Sequence, residues 1–264
     1  MCHYKFTKNE IQQVLANEAI GHTIYFYDTI GSTNDKAKSL ANKGAPEGTI
    51  VIANQQTAGR GRYNRKWYTT KNNNLAVSFI LRPKIFANKP WLHTIMAGVA
   101  TALAIEKSCK ITTQIKWPND IWINQKKVAG ILVESTFQSL NPQWIVIGIG
   151  ININSSPPSN IDFSYPVSCI ANIIGKKLNR VTVLHTLVHN LAKLYTNANC
   201  LNLIHQWNQR MLWKNKHIKI TTSNNNTITG IALGISNNGI LQIRLDNGSV
   251  QDILNGEIKL NKRL

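Results

Sequence analysis

The segment from Ile145 to Asn152 constrains the fold most, because isoleucine alternates there with valine, glycine and asparagine. Successive side chains of a β-strand point to opposite faces, so this segment, as a strand, places four isoleucines on one face. The opposite face carries the remaining residues, Val146, Gly148, Gly150 and Asn152. We therefore predict a sheet with one face in the core and one face approached closely by a ligand or by a packed helix.

Helix and strand patterns alternate along the first four fifths of the chain. Thr7 and Ser32 each begin a pattern typical of a helix N-terminus, and apolar residues recur at helical spacing in 95–110 and 183–213. Short apolar runs between them predict buried strands. These strands are expected at 23–27, 50–53, 75–81, 114–117, 121–124, 128–135 and 144–152. The order of elements indicates the α/β (α+β) class.

Residues 214–264 differ in character, because short strand patterns follow one another with turn signals between them. The turn signals are Asn225-Asn226, Asn237-Asn238-Gly239 and Asp246-Asn247-Gly248. They separate strands expected at 217–221, 227–235, 240–245 and 249–254. We therefore predict two domains, 1–213 and 214–264, of which the second is a small β-barrel.

The composition restricts the class of protein. Hydrophobic residues make up 43% of 264 residues, which suits a globular protein, and no apolar run approaches the roughly 18–20 residues of a membrane span. The start of the chain has no signal-peptide pattern. The four cysteines are dispersed and form no CxxC, which favours reduced thiols and a cytoplasmic protein. They are Cys2, Cys109, Cys169 and Cys200.

The net charge is strongly positive, since 30 lysines and arginines face 12 acidic residues and give +18. Such an excess indicates an anionic partner: a nucleic acid, a nucleotide, an acidic protein or a membrane surface. A coding habit rich in lysine and asparagine explains the same number equally well. The basic residues form no block of five, so an arm that binds nucleic acid is not expected.

The segment from Gly59 to Trp67 carries the densest chemistry, with four cations and two glycines in nine residues between two strands. Glycine lets backbone N–H groups approach an anion, and arginine binds carboxylate or phosphate with two hydrogen bonds. Trp67 suits stacking on a flat base. A solvated basic turn is the alternative. The cations are Arg60, Arg62, Arg65 and Lys66.

Two further segments follow. Lys116-Trp117-Pro118-Asn119-Asp120 places an amide and a carboxylate between two strands, where an ordinary turn is the alternative. In the run from Lys127 to Glu134, a lysine opens an apolar strand, and Gly130 weakens that strand by about 0.5–1 kcal/mol. A close approach to the backbone at Gly130 is therefore expected, whereas a lone lysine in the position of Lys127 is usually solvated.

Gly31-Ser32-Thr33-Asn34 predicts a helix N-terminus with free N–H groups, for which simple capping is the alternative. His185 and His189 are four residues apart without an intervening glutamate, so no metal site is predicted there. The sequence contains no Walker phosphate loop, no dinucleotide fingerprint and no GxSxG.

Taken in order, these segments resemble the biotin protein ligases (biotin–[acetyl-CoA-carboxylase] ligases) from about Tyr25 to the C-terminus. The resemblance is carried by Ser32-Thr33-Asn34, Gln56, Gly59-Arg60-Gly61-Arg62, Arg65-Lys66-Trp67, Lys116-Trp117-Pro118-Asn119-Asp120, Lys127-Val128-Ala129-Gly130-Ile131-Leu132 and Gly148-Ile149-Gly150-Ile151-Asn152. Each motif is weak or moderate alone, whereas five in series are highly specific.

The resemblance implies a fold: a catalytic domain with a mixed sheet and flanking helices, related to class II aminoacyl-tRNA synthetases, and a small C-terminal SH3-like β-barrel. It implies a ligase-only form, because the catalytic part begins near residue 22 and leaves no room for an N-terminal helix-turn-helix. Asn64 departs from the family loop, which has glycine there. Asparagine tolerates a left-handed backbone best among the other residues, so the loop is expected to keep its shape.

The resemblance also implies a reaction in two steps, in which biotin and ATP give biotinyl-5′-AMP and a lysine of a carrier protein then takes the biotinyl group. Arg62 and Lys127 are the expected catalytic cations, and Asp120 is expected to orient or deprotonate the incoming lysine. The expected biotin-binding residues are Ser32, Thr33, Asn34, Gln56, Gly59, Arg60, Gly61, Arg62, Lys127 and Gly130. The expected nucleotide-binding residues are Arg62, Arg65, Trp67, Asn119, Lys127 and Asn152.

The cofactor and partner expectations complete this interpretation. Mg²⁺ is expected to bridge the phosphates of ATP, with Asp120 as an outer partner, and no metal ligands in the protein are predicted. The expected partner is the biotin carboxyl carrier protein of acetyl-CoA carboxylase, without specific DNA binding or membrane attachment, and homodimerisation stays open. Three alternatives remain: a lipoate or octanoate ligase, a nucleic-acid-binding module, and an inactive scaffold that senses biotin.

Overall fold

Two β-sheets organise the chain in the computed structural model, which describes residues 6–82, 86, 89–138, 141–222 and 226–260. The larger sheet has seven strands in the order β1-β2-β3-β7-β6-β5-β4. Its strands are β1 (Ile24–Ile30), β2 (Ile50–Gln56), β3 (Leu75–Leu81), β4 (Gln114–Lys116), β5 (Asp120–Ile123), β6 (Lys126–Gln138) and β7 (Asn141–Ile151). Only β1 and β2 pair in parallel, so the sheet is mixed.

The smaller sheet lies at the C-terminal end and is antiparallel throughout, in the order β11-β10-β9-β8-β12. Its strands are β8 (His217–Thr221), β9 (Thr227–Ile235), β10 (Leu241–Arg244), β11 (Val250–Ile253) and β12 (Glu257–Leu260). Alternate residues are buried, as for Ile218 and Ile220 on either side of the exposed Lys219. This alternation makes one face of the small sheet apolar and leaves the other to solvent.

The described residues also form six α-helices, which flank the sheets. They are α1 (Lys8–Leu15), α2 (Thr33–Asn42), α3 (Leu92–Cys109), α4 (Ile170–Ile174), α5 (Arg180–Thr196) and α6 (Cys200–Arg210). The two long helices α3 and α5 pack against each other and belong to the main core. In the described part of the chain, no helix combines the length and apolar character that crossing a membrane requires.

Strand β7 separates the two sides of the large sheet as its alternation predicts. The four isoleucines of its inner face, from Ile145 to Ile151, are buried in the main core together with α3 and α5. On the other face, Val146 packs with Ala37 and Ala41 of α2. Beyond Val146 this face carries only glycine until Asn152, so α2 covers one end of it and the other end stays open.

The mixed α/β layout with flanking helices and the C-terminal β domain are confirmed, whereas several boundaries differ. The single helical region predicted from 183 to 213 is two helices, because Asn199 interrupts it and caps α6 through the N–H of Asn202 at 3.0 Å. Strand β12, of four residues, and helix α4, of five residues, were not predicted. The start of the chain with Cys2, and Asn225 of one predicted turn, lie outside the described residues.

A charged pair ties the helix α3 to α6, and so links the core of the large sheet to the C-terminal end. Arg210 binds Glu106 with two hydrogen bonds, Nη2 to Oε2 at 2.8 Å and Nε to Oε1 at 3.0 Å. Thr113 donates to the same carboxylate from its hydroxyl at 2.9 Å. Burial alone raises the pKa of Glu106, but the hydrogen bonds from Arg210 and Thr113 outweigh it and hold that pKa below its usual value.

We predict that Glu106→Gln lowers the free energy of unfolding at pH 7 by about 1–3 kcal/mol, because it removes the charge that Arg210 binds and replaces one of the two acceptor oxygens with an NH₂ donor. A depressed pKa stabilises the folded state only above the unfolded pKa, and the contribution is lost as pH falls through the folded pKa. Urea unfolding at pH 7 and at pH 3.5 should therefore show a difference from the parent that shrinks in acid. Lys107→Gln, an exposed change on the same helix, is the control, and an equal deficit at both pH values contradicts the prediction.

Candidate functional site

A cavity of about 320 Å³ lies on the open part of the glycine face of β7. Every site residue predicted from the sequence lines this cavity, with the exception of Gly59. The lining includes Ser32, Thr33, Asn34, Gln56, Arg60, Gly61, Arg62, Arg65, Trp67, Asn119, Asp120, Lys127, Gly130 and Asn152. Segments that lie up to 120 residues apart in the sequence thus meet around one space.

The floor of the cavity consists of small residues in register across adjacent strands. Gly150 of β7 pairs with Ala76 of β3 on one side and with Gly130 of β6 on the other, and Gly130 pairs in turn with Asp120 of β5. A side chain at either glycine would fill space that is already used. A Cβ at Gly150 would stand 2.4 Å from the indole of Trp67, and one at Gly130 would stand 3.1 Å from it.

Gly148 also has no room for a side chain, because helix α2 packs against it. A Cβ there would stand 2.0 Å from Oδ1 of Asn34, which lies in the first turn of α2. The packed-helix alternative raised for the glycine face therefore holds at Gly148, and a ligand on this face stays a prediction. A helix end packs on Gly148, a tryptophan packs on Gly150, and both glycines also line the cavity.

The start of helix α2 presents hydrogen-bonding groups to the cavity. Ser32 caps the helix by accepting from the N–H of Asp35 at 3.4 Å. The capping role that the sequence analysis gave as the alternative for this segment is therefore observed. The N–H and the hydroxyl of Thr33 both donate to Oε1 of Gln56, at 2.8 and 3.0 Å. These bonds fix the Gln56 amide so that its oxygen is occupied and its NH₂ group is left to donate.

Asn34 is 5% exposed and its amide is held from three directions. Its Nδ2 donates to Oε2 of Glu134 at 2.8 Å and to the carbonyl of Leu132 at 3.3 Å, and its Oδ1 accepts from the Ser78 hydroxyl at 2.6 Å. Sequence reasoning assigned no role to Ser78 or Glu134. The available signals were a serine at the centre of the otherwise apolar β3 and a glutamate directly after an apolar run in β6.

The Gly-Arg loop, residues 59–67, closes on itself as a short hairpin. The N–H of Trp67 donates to the carbonyl of Gly59 at 2.8 Å, and the N–H of Gly61 donates to the carbonyl of Arg65 at 2.7 Å. Gly59 does not line the cavity. A Cβ at this position would stand 2.6 Å from the Trp67 carbonyl. Its glycine is required by packing inside the loop.

The tip of the loop has a left-handed backbone, with φ of 55° at Tyr63 and 56° at Asn64. Asparagine is among the residues that tolerate this conformation best, whereas tyrosine is not. The structure therefore accommodates Asn64 as the sequence predicts. Tyr63 lies 4.9 Å from the guanidinium of Arg62, an arrangement in which the cation faces the aromatic ring.

The C-terminal sheet holds the same loop from the other side. Nη1 and Nη2 of Arg65 both contact the carboxylate of Glu257, and Nη2 and Oε2 are 2.8 Å apart. Arg62 Nη1 donates to the carbonyl of Gly256 at 3.3 Å. Burial alone raises the pKa of Glu257, but hydrogen bonding to Arg65 keeps it below its usual value. The same bond raises the pKa of Arg65. Glu257 lies 192 residues from Arg65 and was not predicted.

Lys127 and Asp120, two of the three predicted catalytic residues, form an ion pair with Nζ and Oδ1 2.6 Å apart. Asp120 is 8% exposed, and a buried carboxylate needs such a partner. The ammonium of Lys127 also lies 5.6 Å from the centre of the Trp67 ring. The third predicted catalytic residue, Arg62, lines the same cavity from the loop.

Lys116 opens one of the predicted motifs but had no assigned role, and it lies 4% exposed behind the cavity wall. Its ammonium stands 3.5 Å from the centre of the Tyr165 ring and within 6 Å of the rings of Trp122 and Trp213. Burial lowers its pKa to about 8. Tyr165 lines the cavity and donates from its hydroxyl to the carbonyl of Ile258 at 2.9 Å, which adds a second contact to the C-terminal sheet.

The two predicted asparagines occupy different settings. The side-chain Nδ2 of Asn119 donates to the carbonyl of Ile131 at 2.6 Å, and the backbone carbonyl of Asn119 accepts from the N–H of Ile131 at 2.9 Å. Asn119 therefore links the start of β5 to β6. Asn152 is 2% exposed and donates to the carbonyl of Ser168 at 3.3 Å. Its Oδ1 is buried without a hydrogen bond from any residue in the described ranges. An unpaired acceptor in a cavity wall indicates a place for a donor on a ligand.

The part of the chain that the structure describes contains no group of three metal-ligating side chains. His185 and His189 instead face the carboxylate of Glu18, at 3.1 and 3.2 Å. Arg60 pairs with Asp35 of α2, and Lys38 binds Glu134 at 2.7 Å. The cations that remain without a carboxylate partner in this cavity are Arg62 and Lys66, among the described residues.

Two family models match the chain. The biotin/lipoate A/B protein ligase family matches residues 26–152, and the biotin protein ligase C-terminal domain matches residues 215–260. The first match contains every residue predicted to be in the site. The second contains Glu257, which braces the Gly-Arg loop.

Similar proteins of known sequence and structure agree with the family models. The bifunctional ligase/repressor BirA of Bacillus subtilis is 36% identical over 97% of this chain and 79% of its own length. A biotin–[acetyl-CoA-carboxylase] ligase of Paracoccus denitrificans is 38% identical over 48% of this chain and 52% of its own length. The structure of the Aquifex aeolicus biotin protein ligase in complex with biotin and ATP superposes with a TM-score of 0.76 at 28% identity, over 91% of this chain and 99% of that one.

We predict that Glu257→Gln loosens the Gly-Arg loop, because it removes the charge that holds Arg65. A partly exposed ion pair of this kind contributes about 0.2–1 kcal/mol, so trypsin should cut within residues 60–66 about 1.4 to 5 times faster. Mass spectrometry of the early fragments measures this rate. Asp252→Asn, on the same sheet but bonded to Gln242, is the matched control, and equal cleavage rates for the two variants would refute the role of Glu257.

Proposed function

The chain belongs to the biotin protein ligase family, and we propose that it makes biotinyl-5′-AMP from biotin and ATP and transfers the biotinyl group to a lysine of a carrier protein. The observation that carries the proposal is the single cavity in which the amide and hydroxyl groups of α2 and β2 meet the cations Arg62 and Lys127. An amide-rich pocket suits the ureido ring of biotin, and cations suit its carboxylate and a phosphate.

In the first step, a carboxylate oxygen of biotin attacks the α-phosphorus of ATP, and the bond to the bridging oxygen breaks to release pyrophosphate. Two anions must meet, so the protein has to supply positive charge and positioning and need not supply a nucleophile. Arg62 and Lys127 bracket the carboxylate and the α-phosphate. Arg60, Arg65 and Lys66 support the outer phosphates or the closed loop.

The biotin end of the cavity is the start of helix α2 with Gln56. Thr33 occupies the oxygen of the Gln56 amide, and the NH₂ group of that amide has no hydrogen-bond acceptor among the described residues. That NH₂ group and the hydroxyl of Ser32 provide donors for the ureido carbonyl. Asn34 is fully bonded to Ser78, Leu132 and Glu134, so its contribution is to hold the first turn of α2 in place.

The adenosine end lies beside Trp67 and the two asparagines. The indole of Trp67 rests on the bare backbone of Gly150 and also lines the cavity, so it offers a flat surface for an adenine ring. The unpaired Oδ1 of Asn152 suits an N–H or O–H donor of the nucleoside. Mg²⁺ would accompany ATP as its counter-ion, and Asp120, which pairs with Lys127, would be an outer partner of the ion.

In the second step, the amine of a protein lysine attacks the carbonyl carbon of the mixed anhydride, and AMP leaves. The amine must lose a proton, and Asp120, one of the carboxylates that line the cavity, orients the amine or accepts the proton in this proposal. The name of the Paracoccus denitrificans relative supports the carrier protein of acetyl-CoA carboxylase as the substrate. The free thiols of Cys109, Cys169 and Cys200 support a cytoplasmic setting for this reaction.

Exchange of label between pyrophosphate and ATP tests the proposal directly. With purified protein and Mg²⁺, the exchange is expected to require biotin and to be absent with lipoate alone. Exchange with lipoate and not with biotin would assign the chain to the lipoate branch of the same family. Folded protein that exchanges with neither acid would refute adenylation and leave the inactive scaffold.

We predict that Lys127→Ala lowers the rate of biotin-dependent exchange by more than about tenfold. The negative charge that develops between the biotin carboxylate and the α-phosphate loses the ammonium group that stabilises it. Lys126→Ala removes the exposed neighbouring lysine and is the matched control. Lys127→Ala leaves Asp120 without its cation and could unfold the protein. Circular dichroism of both variants is therefore the control for folding. A folded Lys127→Ala protein with a near-normal exchange rate would remove Lys127 from the mechanism.

A further inference from the structure

The solvent face of the C-terminal sheet carries two lysines in direct opposition. In the antiparallel pairing of β8 and β12, Lys219 lies opposite Lys259, and both are exposed. Like charges in directly opposed positions destabilise a sheet. Neither lysine forms an ion pair with any residue in the described part of the chain. The sheet therefore keeps a repulsive pair that its own fold does not neutralise.

The register of the other strands extends this cationic face. Lys219 pairs with Thr229 of β9, and two residues along the same strand Ile231 pairs with Arg244 of β10. Arg244 is exposed, like the two lysines. The residues between them, such as Ile218 and Ile220, point to the buried face. One side of the sheet is thus core, and the other carries these three cations together with Asp252 and Glu257.

This basic face begins at the cavity. Glu257 precedes Lys259 by two residues on β12, so both side chains point to the same side and their Cα atoms are about 7 Å apart. Glu257 lines the cavity and holds Arg65 of the Gly-Arg loop, whose exposed Lys66 adds a further cation at the rim. The Lys219–Lys259 pair therefore lies one side-chain position beyond a residue of the cavity wall.

We propose that Lys219 and Lys259 form a docking site for an acidic surface of the carrier domain whose lysine is biotinylated, an inference that rests on the proposed function. An acidic partner relieves the repulsion between the two lysines. It also gains from electrostatic steering, which raises association rates and depends on ionic strength. A carrier protein fits better than a nucleic acid, because the face adjoins a cavity that has to admit a protein lysine.

The test is the single variant Lys259→Glu, compared with Lys193→Glu on α5. Both change the net charge equally, but Lys193 is exposed on the helical layer that covers the opposite side of the large sheet. Lys259→Glu creates an attractive pair with Lys219, so its melting temperature should equal or exceed that of the parent. Unfolding would therefore not explain a loss of biotinyl transfer to the carrier in this variant.

The probes are a purified acidic biotin carboxyl carrier domain of an acetyl-CoA carboxylase and hydroxylamine, a small acceptor that needs no docking surface. At low salt, Lys259→Glu is expected to lower kcat/KM for the carrier about tenfold and to flatten its salt dependence. Transfer to hydroxylamine, biotin-dependent pyrophosphate exchange and kcat at saturating carrier should stay at parental values. Lys219→Gln, which only neutralises, should show a smaller effect of the same kind.

Four results would overturn the inference. An equal kcat/KM for the carrier in Lys259→Glu and Lys193→Glu shows that the face does not dock it. A parallel loss with hydroxylamine shows that Lys259 acts on the cavity itself. Loss of duplex DNA binding with carrier transfer intact assigns the face to nucleic acid. A parent protein that forms no biotinyl-5′-AMP refutes the proposed function, and the inference fails with it.

Discussion

The bare backbone on one face of strand β7 is the constraint on which the site depends. Without side chains at Gly148 and Gly150, Asn34 and Trp67 lie directly against the strand, at positions that any Cβ would occupy. The same strand is held in place by its isoleucine face, which is buried with α3 and α5. One alternating segment therefore provides both the anchor in the core and the floor of the cavity, and its two faces cannot be exchanged without a loss of both.

The walls around this floor come from distant parts of the chain and are fixed by polar contacts. Buried bonds from Ser78 and Glu134 hold Asn34, and the carboxylate of Glu257 holds the Gly-Arg loop from the C-terminal sheet. The protein's own contacts thus fix the dipoles and charges around the cavity, which is the property that electrostatic stabilisation of a transition state requires. The C-terminal sheet is thus part of the cavity wall as well as a separate β structure.

The sequence predicted the local pattern well and the long-range contacts poorly. The alternation in β7, the helix start at Ser32 and the Gly-Arg loop each depend on neighbours along the chain, and each was found where it was expected. Ser78, Glu134 and Glu257 were missed, because their roles depend on partners that lie 44, 100 and 192 residues away. Periodicity shows that a polar residue sits in an apolar strand, but it does not show which group lies across from it.

The affinity of Gly148→Ala for biotin tests the central claim most directly. The added methyl group would stand 2.0 Å from Oδ1 of Asn34, so Asn34 must leave its bonds to Ser78 and Glu134. Calorimetric titration is predicted to show a dissociation constant for biotin at least about tenfold above that of the parent, the equivalent of one lost hydrogen bond to a buried group. Gly31→Ala, where no atom lies within 4 Å, should bind as the parent does. A folded Gly148→Ala protein with the parental affinity would contradict the account.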